Sequence, residues 1–114
     1  MHKRIGQILY EQQIISPRDL KELLNRHEKE NMRIGELAIY LGFATDAEIF
    51  FALEIQIAEI LVDNGVITRQ QCDGVVKAFK KSGIRIGRIL IEVEYATEDE
   101  VMNAYRYQTV TSPE

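Results

Sequence analysis

Residues 33–56 read RIGELAIYLGFATDAEIFFALEIQ, and residues 85–108 read RIGRILIEVEYATEDEVMNAYRYQ. Both stretches open on the same Arg-Ile-Gly triplet, carry Ala-Thr at the same place and close on Gln, 52 residues apart. Ala44, Thr45, Glu48, Ala52 and Gln56 thus fall on Ala96, Thr97, Glu100, Ala104 and Gln108. Upstream, the same shift sets Ile8, Leu9, Ile15 and Lys29 on Ile60, Leu61, Ile67 and Lys81 without a gap. So many identities in one register mark an internal duplication.

Each half divides again. Arg4-Ile5-Gly6 precedes Arg33-Ile34-Gly35 by 29 residues, and Ser16, Thr45, Thr68 and Thr97 each follow an apolar pair and open an amphipathic run. The chain therefore reads as four copies of one short unit in two pairs, with internal halves over residues 4–56 and 56–108. The first part of each copy has apolar residues at helical spacing, as in Ile5, Ile8 and Leu9 or Ile34, Leu37 and Leu41. Gly42 and Gly65 stand where a left-handed residue ends that helix. Gln13 and Glu94 hold the same place in the other copies, which predicts turns that are either more strained or differently shaped. The Ser or Thr then caps a second helix. Thr45 with Glu48, Thr68 with Gln71 and Thr97 with Glu100 have capping-box spacing, and Pro17 suits a first helical position. Each second helix is expected to bury a triplet: Leu20, Leu23 and Leu24; Ile49, Ala52 and Leu53; Cys72, Val75 and Val76; Val101, Ala104 and Tyr105. The expectation is an all-α chain, four tandem helix-turn-helix units in two pseudo-symmetric pairs, forming one helical-bundle domain over residues 1–114.

The connections differ. Polar linkers are expected over residues 28–32 and 80–84. No breaker lies between Asp46 and Asn64, which predicts one continuous helix of about 28 Å at 1.5 Å per residue.

Composition narrows the function classes. With 46% apolar and 28% charged residues the chain has the usage of an ordered globular domain rather than a disordered one. A net charge of -4 argues against a nucleic-acid polymer as partner, because phosphate contacts supply most of that affinity, and it disfavours a helix-turn-helix DNA reader. Cys72 is the only cysteine, so no internal disulfide forms. Met1-His2-Lys3-Arg4 is not followed by an apolar leader segment, and no apolar run approaches membrane-spanning length. The chain reads as cytoplasmic, without membrane insertion. No nucleotide-hydrolysis loop, nucleophile elbow or metalloprotease helix is present, so it reads as a non-enzyme without a bound cofactor or metal. His2 and His27 lack companions at metal-ligand spacing, and Cys72 falls on a core stripe. Lys77, Lys80, Lys81, Arg85 and Arg88 read as a solvated basic stretch. Glu98, Asp99 and Glu100 read as acids that favour a helix start.

Two positions leave alternatives open. Eleven residues after each cap stand His27, Gln56, Phe79 and Gln108; the polar ones are either exposed helix ends or buried groups that need a partner. In the triplets, Arg forms either a surface ion pair or a fork to a phosphate or base edge. The Gly either lets helices pack closely or lets a ligand reach the backbone.

Arg-Ile-Gly, two apolar pairs about a turn, two apolar residues four apart and a closing Gln resemble the MshEN motif. That motif occurs in the N-terminal domain of type II secretion and type IV pilus assembly ATPases, and the resemblance runs from Arg4 to Gln108. It implies that two tandem motifs bind cyclic di-GMP, with Arg, Gly and Gln making polar contacts and the apolar residues embracing the nucleotide. The matching positions are Arg4, Ile5, Gly6, Leu9, Leu20, Leu24 and His27 in the first unit, and Arg33, Ile34, Gly35, Ile49, Leu53 and Gln56 in the second. Arg85, Ile86, Gly87 and Gln108 form a second, partial set. His27 departs from the family's Gln, Gln13 from its Gly and Ala38 from a larger aliphatic. In the third unit Gln56-Ile57-Ala58 and Phe79 replace the polar positions. The implied function is a non-catalytic second-messenger module that regulates a protein partner, a secretion or pilus ATPase or another regulator. The alternative is an adaptor that docks on such machinery without nucleotide.

Overall fold

The computed structural model describes residues 3–111, and over them the chain is all-helical. Its elements are α1 (Ile5–Glu11), α2 (Pro17–Lys29), α3 (Ile34–Tyr40), α4 (Asp46–Asp63), α5 (Arg69–Ser82), α6 (Ile86–Glu92) and α7 (Glu98–Thr111). Every expected cap is formed. The Ser16 hydroxyl accepts from the Asp19 amide at 3.0 Å, with Pro17 at the first helical position of α2. Thr45 and Glu48 satisfy each other's amides at 3.1 and 2.9 Å, and Thr68 with Gln71 and Thr97 with Glu100 repeat the exchange. These bonds stop the free amides at each helix start from competing for other partners.

The turns before the caps also follow the sequence. Gly42 and Gly65 take φ of +77°, and Gln13 and Glu94 take φ of +62° at the corresponding places. The left-handed conformation crowds a Cβ against the neighbouring carbonyl, so the last two turns carry local strain.

Two expectations about connections need correction. Residues 28–29 belong to α2 and residues 80–82 to α5, so the linkers are shorter than composition suggests. Their charge is no obstacle to helix, because Arg26, His27 and Lys29, and Lys80 and Lys81, sit in last turns where the helix dipole favours cations. Gly83, left-handed at φ +75°, closes α5. The continuous central helix does form: α4 runs unbroken for 18 residues.

The chain divides into two units, one over Lys3–Leu53 and the other over Glu54–Val110. In the first, α1, α2 and α3 pack on one another around Ile5, Ile8, Leu9, Leu23, Ile34 and Leu37, all buried. In the second, α5 packs on α6. Ile57, Ile60 and Leu61 of α4, Cys72 and Val75 of α5, Ile86 and Leu90 of α6, and Val101 and Ala104 of α7 are its buried residues.

The second helices bury less than their triplets imply. Leu23, Ala52, Val75 and Ala104, seven residues after each cap, are buried. The next residues are not: Leu24 is 46% exposed, and Leu53, Val76 and Tyr105 are half-buried. In the first, second and fourth copies the first helix is only seven residues long and covers one face of the second, so a narrow stripe suffices.

Candidate functional site

The triplets share one local logic. Arg4, Arg33 and Arg85 each precede a short helix in extended backbone, and their side chains do not cap it. Their carbonyls accept the first helical bonds, from Ile8, Leu37 and Ile89, so the backbone and not the guanidinium starts each helix. The Ile at the next position is buried in all three copies. The Gly follows against the second helix. A Cβ at Gly6 would lie 3.2 Å from Leu20 Cδ1, at Gly35 3.0 Å from Ile49 Cγ2, and at Gly87 2.8 Å from Val101 Cγ1. Close helix packing therefore accounts for these glycines.

In the first unit Ile5, Arg33, Ile34, Gly35, Glu36, Ile49 and Leu53 line a cavity of about 150 Å³. Six of these are positions singled out from the sequence, drawn from both the first and second copies of the repeat. Among the described residues the Arg33 side chain makes no hydrogen bond or ion pair, and the residue is exposed. Glu36 was not foreseen; its signal is its place in the first turn of α3, where a carboxylate is favoured. Of the other positions, Gly6 and Leu20 lie together, with Leu24 beside them. Leu9 is fully buried and belongs to the core. Arg4 is exposed and His27 half-buried.

Gln56 falls in the other unit. It is 3% exposed, and its carbonyl accepts from the Gln108 amide at 2.8 Å. Phe79 is also buried, so two of these four positions face inward rather than fraying into water.

The second partial set is engaged internally. The Glu54 carboxylate, 2% exposed, receives the Arg85 guanidinium at 2.9 Å and the Ile86 amide at 3.1 Å. The Tyr105 hydroxyl lies 3.3 and 3.2 Å from its two oxygens, and the guanidinium stacks 5.1 Å from the Tyr105 ring centroid. The hydrogen bond to Glu54 raises the Arg85 pKa. Burial, and then the nearby carboxylate, raise that of the Tyr105 hydroxyl. A second buried carboxylate, Glu59, accepts a fork from Arg69 at 2.7 and 2.8 Å, which raises the Arg69 pKa. Among the described residues no buried side-chain nitrogen or oxygen lacks a partner. Sequence reading missed both carboxylates. Their signal was two acids inside the run 52–62, apolar but for them and Gln56, but their arginines lie 31 and 10 residues away.

The remaining features are plainer. Lys77, Lys80 and Lys81 are exposed, Arg88 pairs with Glu92 at 3.1 Å, and Cys72 is fully buried. His2 lies outside the described residues. Among those described, no group of His, Cys, Asp or Glu has the arrangement to hold a metal ion, and no helix is long and apolar enough to cross a membrane. No protein-family model, curated protein or solved structure matches the chain.

Proposed function

We propose that this chain is a non-catalytic binding module for cyclic di-GMP, with its site on the first unit, and that occupancy is passed to a protein partner such as a secretion or pilus ATPase. One observation carries the reading: Ile5 from one copy of the repeat and Arg33, Ile34, Gly35, Ile49 and Leu53 from the next share one cavity. Its chemistry suits guanine. An arginine fork matches the O6 and N7 acceptors of that base. The acceptor-only carboxylate of Glu36 complements the N1–H and amino donors on the opposite edge. Isoleucine and leucine walls supply apolar contact for the ring. Pockets that enclose a drug-sized ligand span roughly 300–1,000 Å³, so a cavity of about 150 Å³ takes one base, with the rest of the dinucleotide outside it.

Titration calorimetry with cyclic di-GMP tests this. The wild-type chain is expected to bind in the micromolar range or tighter, and Arg33→Ala to lose at least about tenfold, the loss of one charge-assisted fork. No heat at high micromolar nucleotide would remove the receptor reading. Docking on a partner without nucleotide is then the better account, and one observation favours it already: the Glu36 carboxylate lines the cavity and repels phosphates.

A further inference from the structure

We propose that the second unit carries an oxyanion cradle, made by the Arg85 guanidinium, the Ile86 amide and the Tyr105 hydroxyl, whose resident ligand is the chain's own Glu54 carboxylate. Three donors from α7 and the segment entering α6 converge on two oxygens at 2.9 to 3.3 Å. Stacking of the guanidinium on the Tyr105 ring holds the fork in place. The amide alone would be an ordinary helix start; the two side-chain donors make the cradle.

The arrangement closes the site. An external anion would have to expel Glu54 and strand a carboxylate that is 2% exposed, at a desolvation cost that one small ligand does not offset. The wild-type chain therefore takes no anion at Arg85. The first unit lacks this plug by sequence: 52 residues before Glu54 stands His2, not an acid. Access, by contrast, is built in, because the Arg85 side chain is 57% exposed. Removal of the Glu54 carboxylate should leave a cradle open to a small oxyanion, a carboxylate or a phosphate.

The test is chemical rescue of Glu54→Ala, followed by helix ellipticity on heating in potassium chloride, acetate or phosphate at matched ionic strength. Acetate or phosphate is expected to raise the melting midpoint of Glu54→Ala by roughly 4 °C more than that of the wild type. The double variant Glu54→Ala/Arg85→Ala should lose the excess, which separates site binding from the general stabilisation such salts give. An excess with acetate alone assigns the cradle to carboxylates, and one with phosphate extends it to phosphoryl groups. A folded Glu54→Ala that responds no more than the wild type overturns the proposal. If the variant is unfolded in chloride, refolding by either anion that the double variant does not share supports the cradle, and persistent unfolding in both, or equal refolding of the double variant, overturns it. These outcomes are independent of cyclic di-GMP, whose titration uses the wild-type chain and Arg33→Ala.

Discussion

Gly74 and Gly87 have the same side chain and opposite surroundings. A Cβ at Gly74, inside α5, meets nothing within 4 Å, whereas one at Gly87 meets Val101 Cγ1 at 2.8 Å. Gly74→Ala is expected to stabilise the fold by about 1 kcal/mol, the backbone-entropy gain of Ala over Gly in a helix. Gly87→Ala should destabilise it by about 1–3 kcal/mol through overpacking. Urea denaturation checks both, and equal shifts would contradict the packing described at α6. Tyr105 makes a prediction in pH. Burial and the Glu54 carboxylate raise its pKa above the ordinary 10.0, so the folded chain holds a proton that the unfolded chain releases. Its contribution is fully present below about pH 10 and is lost as pH climbs through the folded value. Tyr105→Phe should therefore lose less stability than wild type between about pH 9 and pH 11; an identical slope would show that the hydroxyl is not buried against a carboxylate. At this scale the sequence was legible where chemistry is local. Ser16, Thr45, Thr68 and Thr97 were readable as caps because their partners are three residues on. Glu54 was not, because its arginine becomes a neighbour only after folding.

Among the helices and turns, the strained sites are the two left-handed turns without glycine. Glu94→Gly and Gln13→Gly should each stabilise the chain by about 1 kcal/mol, the cost of a left-handed Cβ less the entropy cost of glycine. Thermal melting checks this: each midpoint should rise, and a fall would mean that the side chain makes a contact worth more than the strain. The repeat exposed these turns before any coordinates, since Gln13 and Glu94 align with Gly42 and Gly65. The helix ends were harder to read. Polar residues 28–29 and 80–82 looked like linker because composition does not distinguish a solvated last turn from a loop. The continuity of α4 was readable from the lack of any breaker. The exposure of Leu24 was not, since periodicity gives the direction of a face but not its width.

Across the whole chain, two halves that match in sequence have diverged in the use of one arginine. The Arg85 side chain is held by a buried carboxylate, whereas the Arg33 side chain makes no hydrogen bond or ion pair among the described residues and borders a cavity. The duplication made both arginines visible as equivalents, and only the folded chain distinguishes them. The partition into units over Lys3–Leu53 and Glu54–Val110 falls close to the sequence repeat. It also separates Gln56 from the other positions of the first tandem pair. The most direct test of a nucleotide site on the first unit is a residue-resolved NMR titration of the isotopically labelled chain with cyclic di-GMP. Saturable shifts concentrated on Ile5, Arg33, Gly35, Glu36, Ile49 and Leu53, and absent in Arg33→Ala, are the predicted result. No saturable shifts, or shifts confined to other surfaces, would contradict it.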